Sequence, residues 1–139
     1  MKISDSFRKL IIDEVRFSVE KMEEKEDLRE KLYYFSGIQG VLRRVFNIEF
    51  DPDLLFAFNV FESTHRSFMD RYGAIEKGGD RVVLIFQEQL DGLTEGAKEF
   101  ADKIKNKKNF DSTLKKLIVL SYTTTGNGYY LLQKGLIRF

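Results

Sequence analysis

The sequence predicts an all-α protein, a helical bundle of at least four helices with a short C-terminal segment that is helix-turn-helix-like or a hairpin. Three observations carry this. Apolar residues recur at steps of three and four in four successive segments, which is the spacing of one helix face and not of a strand. The sole proline opens a segment and interrupts none. Hydrophobic residues make up 42% of the 139 residues, with 13 Phe and 6 Tyr as bulky filler, enough for one core of ordinary domain size.

Taken in order, the first helix can start at Ser4 or Ser6, either of which suits an N-cap. Its stripe is Phe7, Ile11, Val15, Val19 and Met22. Charged residues Glu23 to Asp27 link it to a second helix with the stripe Leu28, Leu32, Phe35, Leu42 and Val45. Tyr34, Ile38 and Val41 widen that stripe, so this helix is the most buried of the set. Gly37 and Gly40 within it permit a close neighbour, at about 1 kcal/mol each of lost helix propensity.

Asp51-Pro52-Asp53 is the clearest punctuation. Asp51 can cap free amides, Pro52 suits the first helical position, and Asp53 meets the positive end of the dipole. The third helix follows with Leu54, Phe58, Phe61, His65, Phe68 and Tyr72, and Gly78-Gly79 ends it. Asp80 can cap the fourth, where Val83, Phe86, Leu90, Leu93, Ala97, Phe100 and Ile104 keep a heptad seam. The expected core includes Leu32, Phe35, Phe58, Phe61, Phe86, Leu90, Leu93 and Phe100. Asp111 or Ser112 can cap a short helix through Leu114, Leu117 and Ile118. Beyond it, either helix resumes with Tyr129, Leu132, Leu136 and Phe139 on one side, or Val119 to Tyr122 pairs with Tyr129 to Leu132 as a hairpin.

Residues 1–139 read as one domain whose charge is split along its length. Residues 1–102 form an acidic body, with 15 basic against 21 acidic side chains, a net of −6. Residues 103–139 form a basic segment, with 8 basic side chains against Asp111 alone, a net of +7. The chain has no Cys, which excludes disulfides, thiolate metal sites and Cys nucleophiles. The absence of an apolar leader and of any long apolar run points to a cytoplasmic protein with no membrane partner.

Candidate chemistry is sparse. Glu62 and His65 have the E-x-x-H spacing of di-metal carboxylate bundles and share one helix face. Such sites need further inward carboxylates, and Glu88, Asp91, Glu95, Glu99 and Asp102 follow the face away from the apolar seam. The simpler reading gives His65 one hydrogen bond in a core stripe and pairs Glu62 with Arg66. No metal, no cofactor and no catalytic residue is assigned. The basic segment supplies a nucleic-acid-binding set: Lys103, Lys105, Lys107, Lys108, Lys115, Lys116, Thr123, Thr124, Asn127, Lys134 and Arg138. Residues 114–139, ending Leu131-Leu132-Gln133-Lys134-Gly135-Leu136-Ile137-Arg138, resemble the close of a helix-turn-helix in winged-helix regulators. The resemblance puts the turn at Leu120-Ser121 and starts a recognition helix at Tyr122 to Thr125. Gly126, Gly128 and Val119 depart from that pattern.

The first expectation is therefore a non-enzymatic helical protein that works by association, as a homo-oligomer or a small subunit of a larger complex. Two apolar seams, on the second and fourth helices, would compete for partners. A nucleic-acid-binding protein using the basic segment is the alternative, and a di-metal bundle the third reading.

Overall fold

The computed structural model describes residues 1–125, and side chains as far as Leu120. Five helices follow one another: α1 (Asp5–Glu24), α2 (Leu28–Ile48), α3 (Pro52–Lys77), α4 (Asp80–Lys105) and α5 (Asp111–Thr125). There is no strand among the described residues. Short loops make sequential helices antiparallel neighbours. α1 packs on α2 and α4, α2 packs on α3, and α5 lies against both α3 and α4.

The caps explain where each helix begins. Ser4 Oγ accepts the Phe7 amide at 3.4 Å, which selects Ser4 over Ser6 as the cap of α1. Asp27 accepts the Arg29 amide at 2.7 Å at the start of α2. Asp51 accepts the amides of Asp53 and Leu54 at 2.8 and 3.2 Å, and Pro52 fills the first helical position. The buried Asp51 carboxylate takes a third amide, that of Lys2, which ties the chain start to the α2–α3 turn.

Two junctions differ from the sequence expectation. Asp80 does not cap α4: it is the first helical residue, and Gly79 holds the cap position with φ +85°, with no side-chain cap bond. Only glycine adopts that backbone freely, so the turn itself starts the helix. Similarly, α5 begins at Asp111, whose amide donates to Asn109 Oδ1 at 2.7 Å. α5 then runs unbroken through Leu120 and Ser121 to Thr125. Continuous helix there replaces both the expected turn at Leu120-Ser121 and the first strand of the hairpin, Val119 to Tyr122. Whatever follows from Gly126 onward lies outside the described residues.

One core joins all five helices. An edge-to-face chain of rings runs through it, Phe35 to Phe61, Phe61 to Phe100, and Phe100 to Phe110, at 6.2, 5.6 and 5.1 Å. Six of the eight expected core residues are buried, but Phe58 and Phe86 are only partly covered. Phe58 sits at the edge, against Phe46. Phe86 packs on Phe68, on the part of α4 that outruns its neighbours. α3 and α4 have 26 residues each against 20 in α1 and 21 in α2. At 1.5 Å per residue the hairpin is roughly 8 Å longer, and between Met69 and Gln89 only Ile75 is buried.

Close approach depends on glycine at two crossings. Gly37 of α2 faces buried Ser18 of α1, and an added Cβ would stand 2.6 Å from Ser18 Oγ. Gly96 of α4 receives Leu117 of α5 in the same way. Gly40, by contrast, faces only Arg44 of its own helix.

Candidate interaction surfaces

The basic segment folds back among acidic side chains. The last turn of α4 closes with the Lys108 amide donating to the Lys103 carbonyl (2.8 Å) and the Lys107 amide to the Ile104 carbonyl (3.1 Å). This is a Schellman closure with Lys107 at φ +54°, where glycine is usual. Arg8 of α1, mostly buried, donates to the Ile104 carbonyl at 3.2 Å and so locks α1 to the end of α4. A cleft of about 330 Å³ forms there, lined by Arg8, Asp53, Lys107, Lys108 and Asp111 among others.

Two of the candidate lysines meet carboxylates of the acidic body. Lys107 reaches Asp5 at 3.5 Å and Lys116 reaches Glu99 at 3.7 Å. Lys105, Lys108 and Lys115 are exposed and Lys103 half-buried, and none of the four has an ion-pair partner among the described residues. Thr123 and Thr124 belong to α5, their side chains beyond those described. Asn127, Lys134 and Arg138 lie outside the described residues. The structure thus brings Lys107 and Lys108 to one cleft but interleaves them with Asp53 and Asp111. Fields of opposite sign cancel within roughly a Debye length, so the charges of Lys107 and Lys108 are offset locally by these carboxylates.

Glu62 and His65 go separate ways. The Glu62 carboxylate pairs with Arg66 one turn on. The half-buried His65 ring stacks on Phe35, centroids 6.1 Å apart and planes 8° from parallel. Desolvation lowers the imidazole pKa, and a hydrogen bond to the Leu32 backbone partly offsets that. Among the described residues no group of three or more His, Asp or Glu side chains converges on a point.

The α2 seam and the second half of the α4 seam are enclosed within the bundle. On α2, Leu28, Leu32, Phe35, Ile38, Val41, Leu42 and Val45 are buried, and on α4 the seam is buried from Leu90 to Ile104. Apolar surface is left elsewhere, where sequence periodicity did not place it. At the α2–α3 elbow Ile48 is 74% exposed, Phe50 66% and Phe56 47%. Further along, Leu84 and Ile85 of α4 are about half exposed. The available signal was their position off the helix stripes: Ile48 and Phe50 follow the last buried residue of α2, and Phe56 stands two residues from Leu54, across the helix.

Among the described residues, no helix is long and apolar enough to cross a membrane. No protein-family model, curated protein or solved structure matches this chain.

Proposed function

We propose that this chain works by association, as a homo-oligomer or as a small subunit of a larger assembly, with no chemistry of its own. The observation that supports it most is the elbow. Ile48, Phe50 and Phe56 fall within nine residues and leave large apolar side chains in water. Covering their exposed fractions is favourable by on the order of 3–5 kcal/mol per copy, enough to drive a contact when shape permits. Large apolar side chains left exposed close together are candidates for an interaction site.

The test is sedimentation velocity from about 5 to about 500 µM, with binding of an apolar dye measured in parallel. Replacing Ile48, Phe50 and Phe56 by Ser should lower both association and dye binding without changing helix content. A chain that stays monomeric throughout and binds no dye would remove this reading. Nucleic-acid binding is the second reading, supported by the four candidate lysines without an ion-pair partner. Its test is the salt dependence described below.

A further inference from the structure

The outer face of α4 carries a two-fold self-complementary pattern. Arg81, Leu84, Ile85 and Glu88 are all exposed, and they stand at i, i+3, i+4 and i+7, one stripe of a helix. Val82 to Phe86 is a run of five apolar residues. At 3.6 residues per turn such a run encircles the helix, so the rest of the bundle cannot cover all of it. Val82, Val83 and Phe86 are partly buried against the core. Leu84 remains 55% exposed and Ile85 48%.

The charges at the two ends of the stripe are opposite and symmetrically placed. Arg81 precedes Ile85 by four residues, and Glu88 follows Leu84 by four. Neither makes an ion pair among the described residues. Arg81 is moreover in the first turn of α4, where the helix dipole disfavours a cation. No ion pair or hydrogen bond among the described residues accounts for it there. The polar contacts of α1 with α4, from Arg8–Ile104 through Arg16–Asp102 to Glu23–Lys98, all lie further along the helix, and the bond nearest the stripe joins Gln87 to the Glu26 carbonyl in the α1–α2 link.

We infer that α4 packs against α4 of a second copy, antiparallel, about a two-fold axis between Leu84 and Ile85. That operation sets Leu84 against Ile85 of the second copy, and Arg81 against its Glu88, each contact occurring twice. The inference rests on the association reading and names its partner. One helix pair is a small interface, below the roughly 1,200 Å² of stable complexes, so the dimer is weak and salt-sensitive.

The experiment uses the full chain and four proteins: the parent, Arg81→Glu, Glu88→Arg, and the double variant. Each single change sets like charges face to face twice, and should weaken self-association by on the order of 10-fold or more. An equimolar mixture of the two single variants should regain parental association as a heterodimer, because every facing pair is again opposite. The double variant should dimerise as the parent does. Helix content checks that folding is unchanged, and Leu84→Ser with Ile85→Ser should abolish the dimer in any charge background. Single variants that associate like the parent, or a mixture that fails to recover, overturn the antiparallel pairing while association itself stands, through another face. A parent monomeric up to about 500 µM also overturns it, and dye binding at the elbow then decides the broader reading separately.

Discussion

Two glycines on one face of α4 should respond to alanine with opposite sign. A Cβ at Gly96 would lie 2.4 Å from Leu117 Cδ2 and 3.2 Å from its Cγ. Carbon atoms rest about 3.5–4.0 Å apart, so the new methyl is more than 1 Å too close. Leu117 is fully buried and cannot turn away into solvent. Overpacking of this kind costs roughly 1–3 kcal/mol, against about 1 kcal/mol returned by removing a mid-helix glycine. The depth of the overlap favours the upper part of that range, which leaves Gly96→Ala less stable by about 1–2 kcal/mol. At Gly92 the nearest atom is Leu120 Cδ2 at 3.6 Å, an ordinary contact. Gly92→Ala should therefore gain roughly 0.5–1 kcal/mol.

Urea denaturation followed by helix circular dichroism measures both, with an unchanged slope confirming that stability alone has moved. In thermal melts the same differences amount to roughly 3–5 °C per kcal/mol. Leu117→Ala should cost less beside Ala at position 96 than beside Gly, with a coupling of about 1–2 kcal/mol. Equal stabilisation by both glycine replacements would refute the reasoning, because α5 would then not be seated on Gly96.

Other outcomes follow from the same geometry. Asp51→Ala leaves three backbone amides without their acceptor, and should lower stability by about 2–3 kcal/mol in urea denaturation, with Asp51→Asn losing less. His65 is held below its ordinary pKa of 6.5 by burial, so the unfolded chain takes up its proton first. That part of the stability is complete above pH 6.5 and is lost as pH falls from there through the folded value; His65→Phe should flatten the urea midpoint over that window. Under the nucleic-acid reading, a duplex bound at about 50 mM salt should show a log–log salt slope of roughly −3 to −6. Changing Lys105, Lys107, Lys108, Lys115 and Lys116 to Gln should then flatten it, and absence of binding at that salt removes the reading.

Much of the fold was legible because it is local. The stripes of α1 to α4 are readable from spacing, and Asp51-Pro52-Asp53 caps α3 as its residue types dictate. His65 was readable too, since a lone histidine in a core stripe finds its partner in the packed neighbour, here Leu32 and Phe35. The misses are junctions and coverage. At Gly78-Gly79-Asp80 two good cap candidates compete, and the left-handed backbone decides for Gly79. At residues 119–122 helix is the preferred reading of the sequence with a hairpin as the alternative, and the segment is helical, with Leu117 and Leu120 packed near Gly96 and Gly92. Local propensity is a weak prior beside such tertiary contact.

Periodicity states which face of a helix is apolar but not what covers it, and this is why the seam of α2 and the second half of the α4 seam turn out to be enclosed within the bundle. The heptad of α4 is continuous from Val83 to Ile104, yet its second half is enclosed and its first half is only partly covered. The difference comes from the unequal helix lengths, a property of the assembled bundle. Charge behaves the same way. Residues 102 apart in sequence are neighbours once Asp5 reaches Lys107, so lysines at the start of the basic segment stand beside carboxylates of the acidic body. The apolar features left over after folding include three side chains at the elbow and the stripe on α4, beside the exposed rings of Phe17 and Tyr33. Specificity from such a stripe comes from rejecting mismatched charge as much as from apolar area. On the association reading proposed above, a partner is therefore better sought by shape and register than by net charge.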